Sequence, residues 1–138
     1  MPAYNFKVQF ANNVEAGKKL HTIRPKRKRP TKPGERLILY TGMRTKNCRL
    51  LVDTVCKDVQ PVEIHATYIR VGGRILNMQE RVELAMNDGF DSLAAFYDFF
   101  RETYGLTKQK SLTNLELITW YPPQRVVGKS TPPAPAGD

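Results

Sequence analysis

Lys19, Thr22 and Arg24 fall within six residues of one another, and with Asp88 farther along they offer a hydroxyl, basic groups and a carboxyl, side-chain types that serve nucleophilic and general acid–base chemistry. A threonine hydroxyl is a poor nucleophile until something takes its proton. A lysine can help only when burial or neighbouring cations bring its ammonium down from about 10.4. A strand beginning at Leu20 places Thr22 and Arg24 on one face by the two-residue period, and a bend at Lys19 lets its amine join them. Asp88 lies in Asn87-Asp88-Gly89-Phe90, between two predicted helices. Gly89 is accounted for by a helix C-terminus, whereas Asp88 is left free, and a carboxylate opposite a basic cleft can accept or donate a proton.

The basic residues around this group form the strongest compositional signal. Lys and Arg number 22 against 13 Asp and Glu, for a formal charge of +9. Twelve of the 22 lie between Lys18 and Arg49, where Glu35 is the only acid. A charge gathered in this way creates a local field suited to a polyanion. Arg24, Lys26, Arg27, Lys28, Arg29 and Lys32 sit among Pro25, Pro30 and Pro33 in an expected exposed loop, and Arg44 and Lys46 follow in a second. These eight are the candidate phosphate contacts, and their clustering favours nucleic acid as the polyanionic partner.

Other chemistries find little support. His21 and His65 are the only histidines and no two-His-carboxylate spacing occurs, so neither metal nor cofactor is expected. His21 alternates with Thr22 and is expected to point away from it. Cys48 and Cys56, with seven residues between them, match no zinc or disulfide framework. No apolar run approaches the roughly 20 residues that span a bilayer, and Tyr4, Asn5 and Lys7 stand where a signal peptide needs an apolar stretch. A soluble cytoplasmic protein, not membrane-bound, is the expectation.

The elements that must hold the candidate residues are short. Tyr4 to Phe10 alternates and predicts a strand, with at most one helical turn at Val14-Glu15-Ala16 before Gly17. Strands are also predicted at Arg36 to Tyr40, Arg49 to Cys56, Glu63 to Val71, Arg74 to Leu76 and Leu115 to Trp120, with Asp58, Pro61 and Gly72-Gly73 as the intervening turns. Helices are predicted at Met78 to Met86 and after Asp91 or Ser92, where Leu93, Phe96, Tyr97, Phe100 and Tyr104 keep helical spacing up to Gly105. Several short strands in succession point to a curled sheet or barrel. The 138 residues, 41% of them apolar, suit one domain. It is expected to span residues 1–121, with 122–138, which carries five prolines, as a disordered tail.

Four stretches together resemble the ASCH domain family: Ala16-Gly17-Lys18-Lys19-Leu20-His21-Thr22-Ile23-Arg24, Lys32-Pro33-Gly34-Glu35-Arg36-Leu37, Tyr40-Thr41-Gly42 with Arg44-Thr45-Lys46, and Ala85 with Asp88-Gly89-Phe90. The resemblance covers roughly residues 4–121. It implies an α+β, mainly β fold, a PUA-like β-barrel with flanking helices, and a cleft for RNA or a nucleotide. Some members are small amidohydrolases that remove the acetyl group of N4-acetylcytidine with a Lys, a Thr three residues on and an acid. Carried over, that catalytic trio is Lys19, Thr22 and Asp88, with Arg24 steadying the substrate or the acid. Those members have Glu where this chain has Asp88, one methylene shorter. Other members are ribonucleases or non-catalytic RNA-binding modules, and a small protein-interaction factor is a further alternative.

Overall fold

A computed structural model describes residues 2–122. Apart from Pro122, the expected Pro-rich tail lies outside them. The described residues form an α+β fold whose strands are β1 (Ala3–Phe6), β2 (His21–Pro25), β3 (Arg36–Thr41), β4 (Arg49–Ile64), β5 (Ile69–Val71), β6 (Arg74–Ile75) and β7 (Leu112–Trp120). Three helices, α1 (Val8–Glu15), α2 (Met78–Asn87) and α3 (Leu93–Tyr104), flank them. The seven strands make one mixed sheet that does not close. β1 runs parallel to β3, β3 pairs antiparallel with β4, and β7 lies between β4 and β2. The central place of β7 agrees with its apolar sequence, in which Leu112, Leu115, Ile118 and Trp120 are buried.

Two expectations about elements are corrected. The strand predicted for Tyr4 to Phe10 stops at Phe6, and a helix follows over Val8–Glu15. Phe10, Ala11 and Val14 are buried at helical spacing, while Val8, the middle member of the Phe6, Val8, Phe10 alternation that predicts a strand, is 82% exposed. The turns predicted at Asp58 and Pro61 do not form. β4 continues through both for 16 residues, with register irregularities at Cys56/Asp58 and Val62/Ile64. Asp58 and Pro61 themselves stay in register opposite Thr119 and Glu116, and the first half of the strand pairs with β3 and the second with β7. The chain reverses instead at 65–68, where His65 N donates to Tyr68 O at 2.9 Å. The His65 ring is stacked 4.1 Å from Tyr68 and bonded to Ser111 Oγ (2.7 Å) and Glu63 (2.9 Å), tying that turn to the start of β7.

The helices end where local chemistry ends them. Asn77 and Glu80 form a capping box on α2, and Ser92 accepts from Ala95 N to cap α3. Gly105, at φ 79°, closes α3 in the left-handed conformation. Phe96 and Phe100 bring α3 onto the core, and an edge-to-face aromatic cluster joins it to α1: Phe10 to Phe90 at 5.2 Å, Phe10 to Phe99 at 5.8 Å, Phe90 to Phe96 at 5.5 Å. This cluster holds both helices against β1 and β2, and the candidate site lies between them.

Candidate functional site

Lys19 is placed by the way α1 ends. Gly17 takes φ 78°, and the amides of Lys18 and Lys19 both donate to Asn13 O, at 2.8 and 2.9 Å. The turn sends the Lys19 side chain inward, where it is 3% exposed and passes over the rings of Phe10 (5.2 Å) and Phe6 (5.9 Å). Its Nζ donates to Asp88 Oδ1 at 2.6 Å and to Asp88 O at 2.7 Å. Asp88, the residue that ends α2, is 4% exposed. Its shorter side chain therefore spans the distance to Lys19. Burial holds the Lys19 ammonium below its ordinary value and Arg24 adds to that, while Asp88 acts in the opposite direction.

Gly89 makes this pairing sterically feasible. It sits at φ 98°, and a Cβ there would lie 3.0 Å from Phe10 Cδ1 and 3.5 Å from Lys19 Cδ. The glycine thus caps the helix and also lets the Asp88 turn lie directly on Phe10 and Lys19.

Thr22 and Arg24 share a face of β2 and meet there. Arg24 Nε donates to Thr22 Oγ1 at 3.0 Å, and an Arg24 terminal nitrogen donates to Asn5 O at 2.7 Å. The guanidinium lies 4.8 Å from the Phe6 ring centroid and 5.5 Å from that of Tyr4. Burial lowers its pKa, with Arg27 contributing in the same direction. Arg24 was expected to steady the substrate or the acid; its direct bond is to the hydroxyl.

Lys19, Thr22, Arg24 and Asp88 all line one cavity of about 170 Å³. An apolar cavity of about 150 Å³ holds one benzene-sized ring, so the space suits a single planar ring. Phe6, Phe10, Phe90, Phe99 and Tyr104 supply aromatic walls, and Asn5, Lys7 and Thr103 add polar atoms. Asn5, Lys7, Thr103 and Tyr104 were not among the residues singled out from the sequence, because only the packing of α3 against β1 and α1 brings them together. His21, expected to point away from Thr22, does not line the cavity. Its Nε2 lies 3.3 Å from Asp88 Oδ1, buried and without a hydrogen bond. Alternation gives the face from which a side chain leaves a strand, not what a later turn brings to that face.

The other candidate cations lie on two exposed loops. Lys26, Lys28, Arg29 and Lys32 are exposed on the first, and Arg44 and Lys46 on the second. Arg27 lies 3.9 Å over the Tyr4 ring centroid and donates to Ala3 O. Among the described residues none of these seven has a carboxylate partner, in contrast to Arg36 with Asp53, Arg49 with Glu15 and Arg74 with Glu80. Among the described residues no three His, Cys, Asp or Glu are grouped to hold a metal ion. Among the described residues no helix is long and apolar enough to cross a membrane. No family model, curated protein or solved structure matches this chain.

Proposed function

We propose that this chain is an RNA- or nucleotide-binding domain of the PUA-like, ASCH type, with a cavity that hydrolyses the acetylated exocyclic amine of N4-acetylcytidine. The observation that carries this reading is the meeting of Lys19, Thr22, Arg24 and Asp88 on one ring-sized, aromatic-walled cavity. An aromatic wall is what a planar base stacks on. In the proposed reaction Thr22 Oγ1 forms a C–O bond to the acetamide carbonyl carbon, and its proton passes to the Lys19–Asp88 pair. The Arg24 guanidinium, already bonded to Oγ1, favours the developing alkoxide. Collapse breaks the C–N bond as the proton moves on to the exocyclic nitrogen, releasing cytidine. Water then cleaves the threonyl acetate to acetate and restores the hydroxyl.

The experiment is turnover of N4-acetylcytidine followed as cytidine and acetate release. Thr22→Val, which keeps the side-chain shape, is expected to abolish it, and Thr22→Ser to retain a measurable fraction. Equal turnover by wild type and Thr22→Val would overturn the hydrolytic role.

A second reading, a non-catalytic RNA-binding module, is favoured by the Lys19–Asp88 bond itself. At 2.6 Å each group is already the other's partner, so a proton transfer must first loosen the pair. Binding of N4-acetylcytidine without turnover, together with salt-dependent RNA binding, is the result that selects it.

A further inference from the structure

The basic loops are not merely near the cavity; both are pinned to the strand that forms its edge. Arg27 donates to Ala3 O and lies over Tyr4, and Tyr4 Oη bonds Thr31 Oγ1 at 2.6 Å, so the first loop is fastened along β1. The second is fastened one residue on, where Met43 N donates to Asn5 Oδ1 at 2.9 Å. Asn5 also accepts from Arg24 and lines the cavity. Lys7 follows it. Its Nζ is 5.0 Å from the Phe99 ring centroid, and its side chain is exposed, lines the cavity and has no carboxylate partner among the described residues. A free nucleoside carries no phosphate and would use none of these cations.

We infer that the cavity's ligand is a base within a single-stranded polynucleotide, with Lys7 binding the phosphate at the cavity mouth and Lys26, Lys28, Arg29, Lys32, Arg44 and Lys46 binding its neighbours. This rests on the proposed function and narrows it from nucleosides in general to a phosphodiester chain. One ring fits the cavity, so the base must leave any stack to enter. A single strand gives it up most readily. Side chains on two loops fixed to one strand hold a constant spacing and so act as a track for the backbone on either side of that base.

The test is competition binding and turnover with a 12-nucleotide RNA bearing one N4-acetylcytidine, the same sequence as DNA, and free N4-acetylcytidine. With about seven phosphates contacted and a slope near −0.7 per contact on single strands, oligonucleotide affinity should fall roughly 1,000-fold between 50 and 200 mM salt, and nucleoside affinity should not change. Lys7→Ala should flatten the logarithmic salt slope by about 0.7, and Lys28→Ala/Arg29→Ala by about 1.4. Thr103→Phe, which narrows the cavity from an exposed position on α3, should weaken both ligands. RNA binding better than DNA assigns the strand as RNA, and equal binding assigns either polynucleotide. Turnover of the nucleoside with no gain from the oligonucleotide overturns the inference and leaves the proposed function standing. Oligonucleotide binding that is salt-dependent and cavity-dependent, with neither ligand hydrolysed, upholds the inference and removes the hydrolytic reading. Oligonucleotide binding indifferent to Thr103→Phe overturns the inference, because the base then stays outside.

Discussion

Replacing Lys19, a residue 3% exposed, by Met removes its ammonium and leaves the Asp88 carboxylate, 4% exposed, with His21 Nε2 at 3.3 Å and the nearby Arg24 charge. Breaking a buried ion pair from one side costs about 3–5 kcal/mol, because a charge is left without compensation. A domain of this length has about 5–15 kcal/mol in all, so urea unfolding should show a loss of about a fifth or more of the stability. Asp88→Asn should behave differently. Lys19 keeps its bond to the residue 88 carbonyl, at 2.7 Å in the native chain, but the carboxylate that raised its pKa is gone. Its folded pKa then falls further below the unfolded value of about 10.4. Over that interval the unfolded chain binds more protons, so the stability of Asp88→Asn should rise with pH up to about 10, whereas Lys19→Met loses this dependence. Lys19→Met/Asp88→Asn removes both charges and should recover at least about 2 kcal/mol of the summed single losses. Single losses under about 1 kcal/mol that simply add would refute the reasoning, since the two groups would then be solvated and independent.

Gly89→Ala should cost about 2 kcal/mol or more by thermal or urea unfolding, from a φ of 98° and a Cβ 3.0 Å from Phe10; a change under about 0.5 kcal/mol would mean the turn can move off α1. Burial pushes the Cys56 thiol up to about 11, and Cys48 is exposed, so a maleimide should add once to the native protein and twice in urea. Two rapid native additions would count against the buried position of Cys56. Arg36 holds the Asp53 carboxyl below its ordinary value, so this pair contributes stability above about pH 4 and loses it as pH falls through the folded value. Both groups are well exposed and screened, so Asp53→Asn should change the acid limb of unfolding by less than about 1 kcal/mol, and a larger change would show a drier pair.

The parts of the fold legible in the sequence are those where several local signals coincide. α3 has its cap at Ser92, aromatics at helical spacing and Gly105 at its end, each favouring the same helix. At Phe6, Val8 and Phe10 two periods compete within a few residues, and the burial of Phe10, Ala11 and Val14 against later elements decides for the helix. β4 read as several strands because Asp58 and Pro61 look like turns, and whether such a residue ends a strand or continues it depends on the partner that β7 provides 50 or more residues later. The candidate site divides in the same way. The Lys19–Asp88 pairing could be guessed from motif and charge, whereas His21, Asn5, Lys7, Thr103 and Tyr104 enter only through tertiary contact.

The site and the fold also depend on each other energetically. An ammonium and a carboxylate withdrawn from water each incur a desolvation cost of several kcal/mol, and hydrophobic residues of similar volume at positions 19 and 88 would stabilise the chain at least as well. The surroundings favour the pair nonetheless: a left-handed glycine before Lys19, another after Asp88, and rings of Phe6 and Phe10 against the ammonium. A structural ion pair could sit half-solvated on the surface, as Arg36 and Asp53 do, at little cost. Enclosing it beside a cavity instead makes its protonation respond to whatever fills that cavity. A ring that displaces water there withdraws the last screening from Lys19, pressing its proton toward Asp88 or toward the ligand. In the proposed function, that coupling between occupancy and proton position is what the Lys19–Asp88 pair supplies.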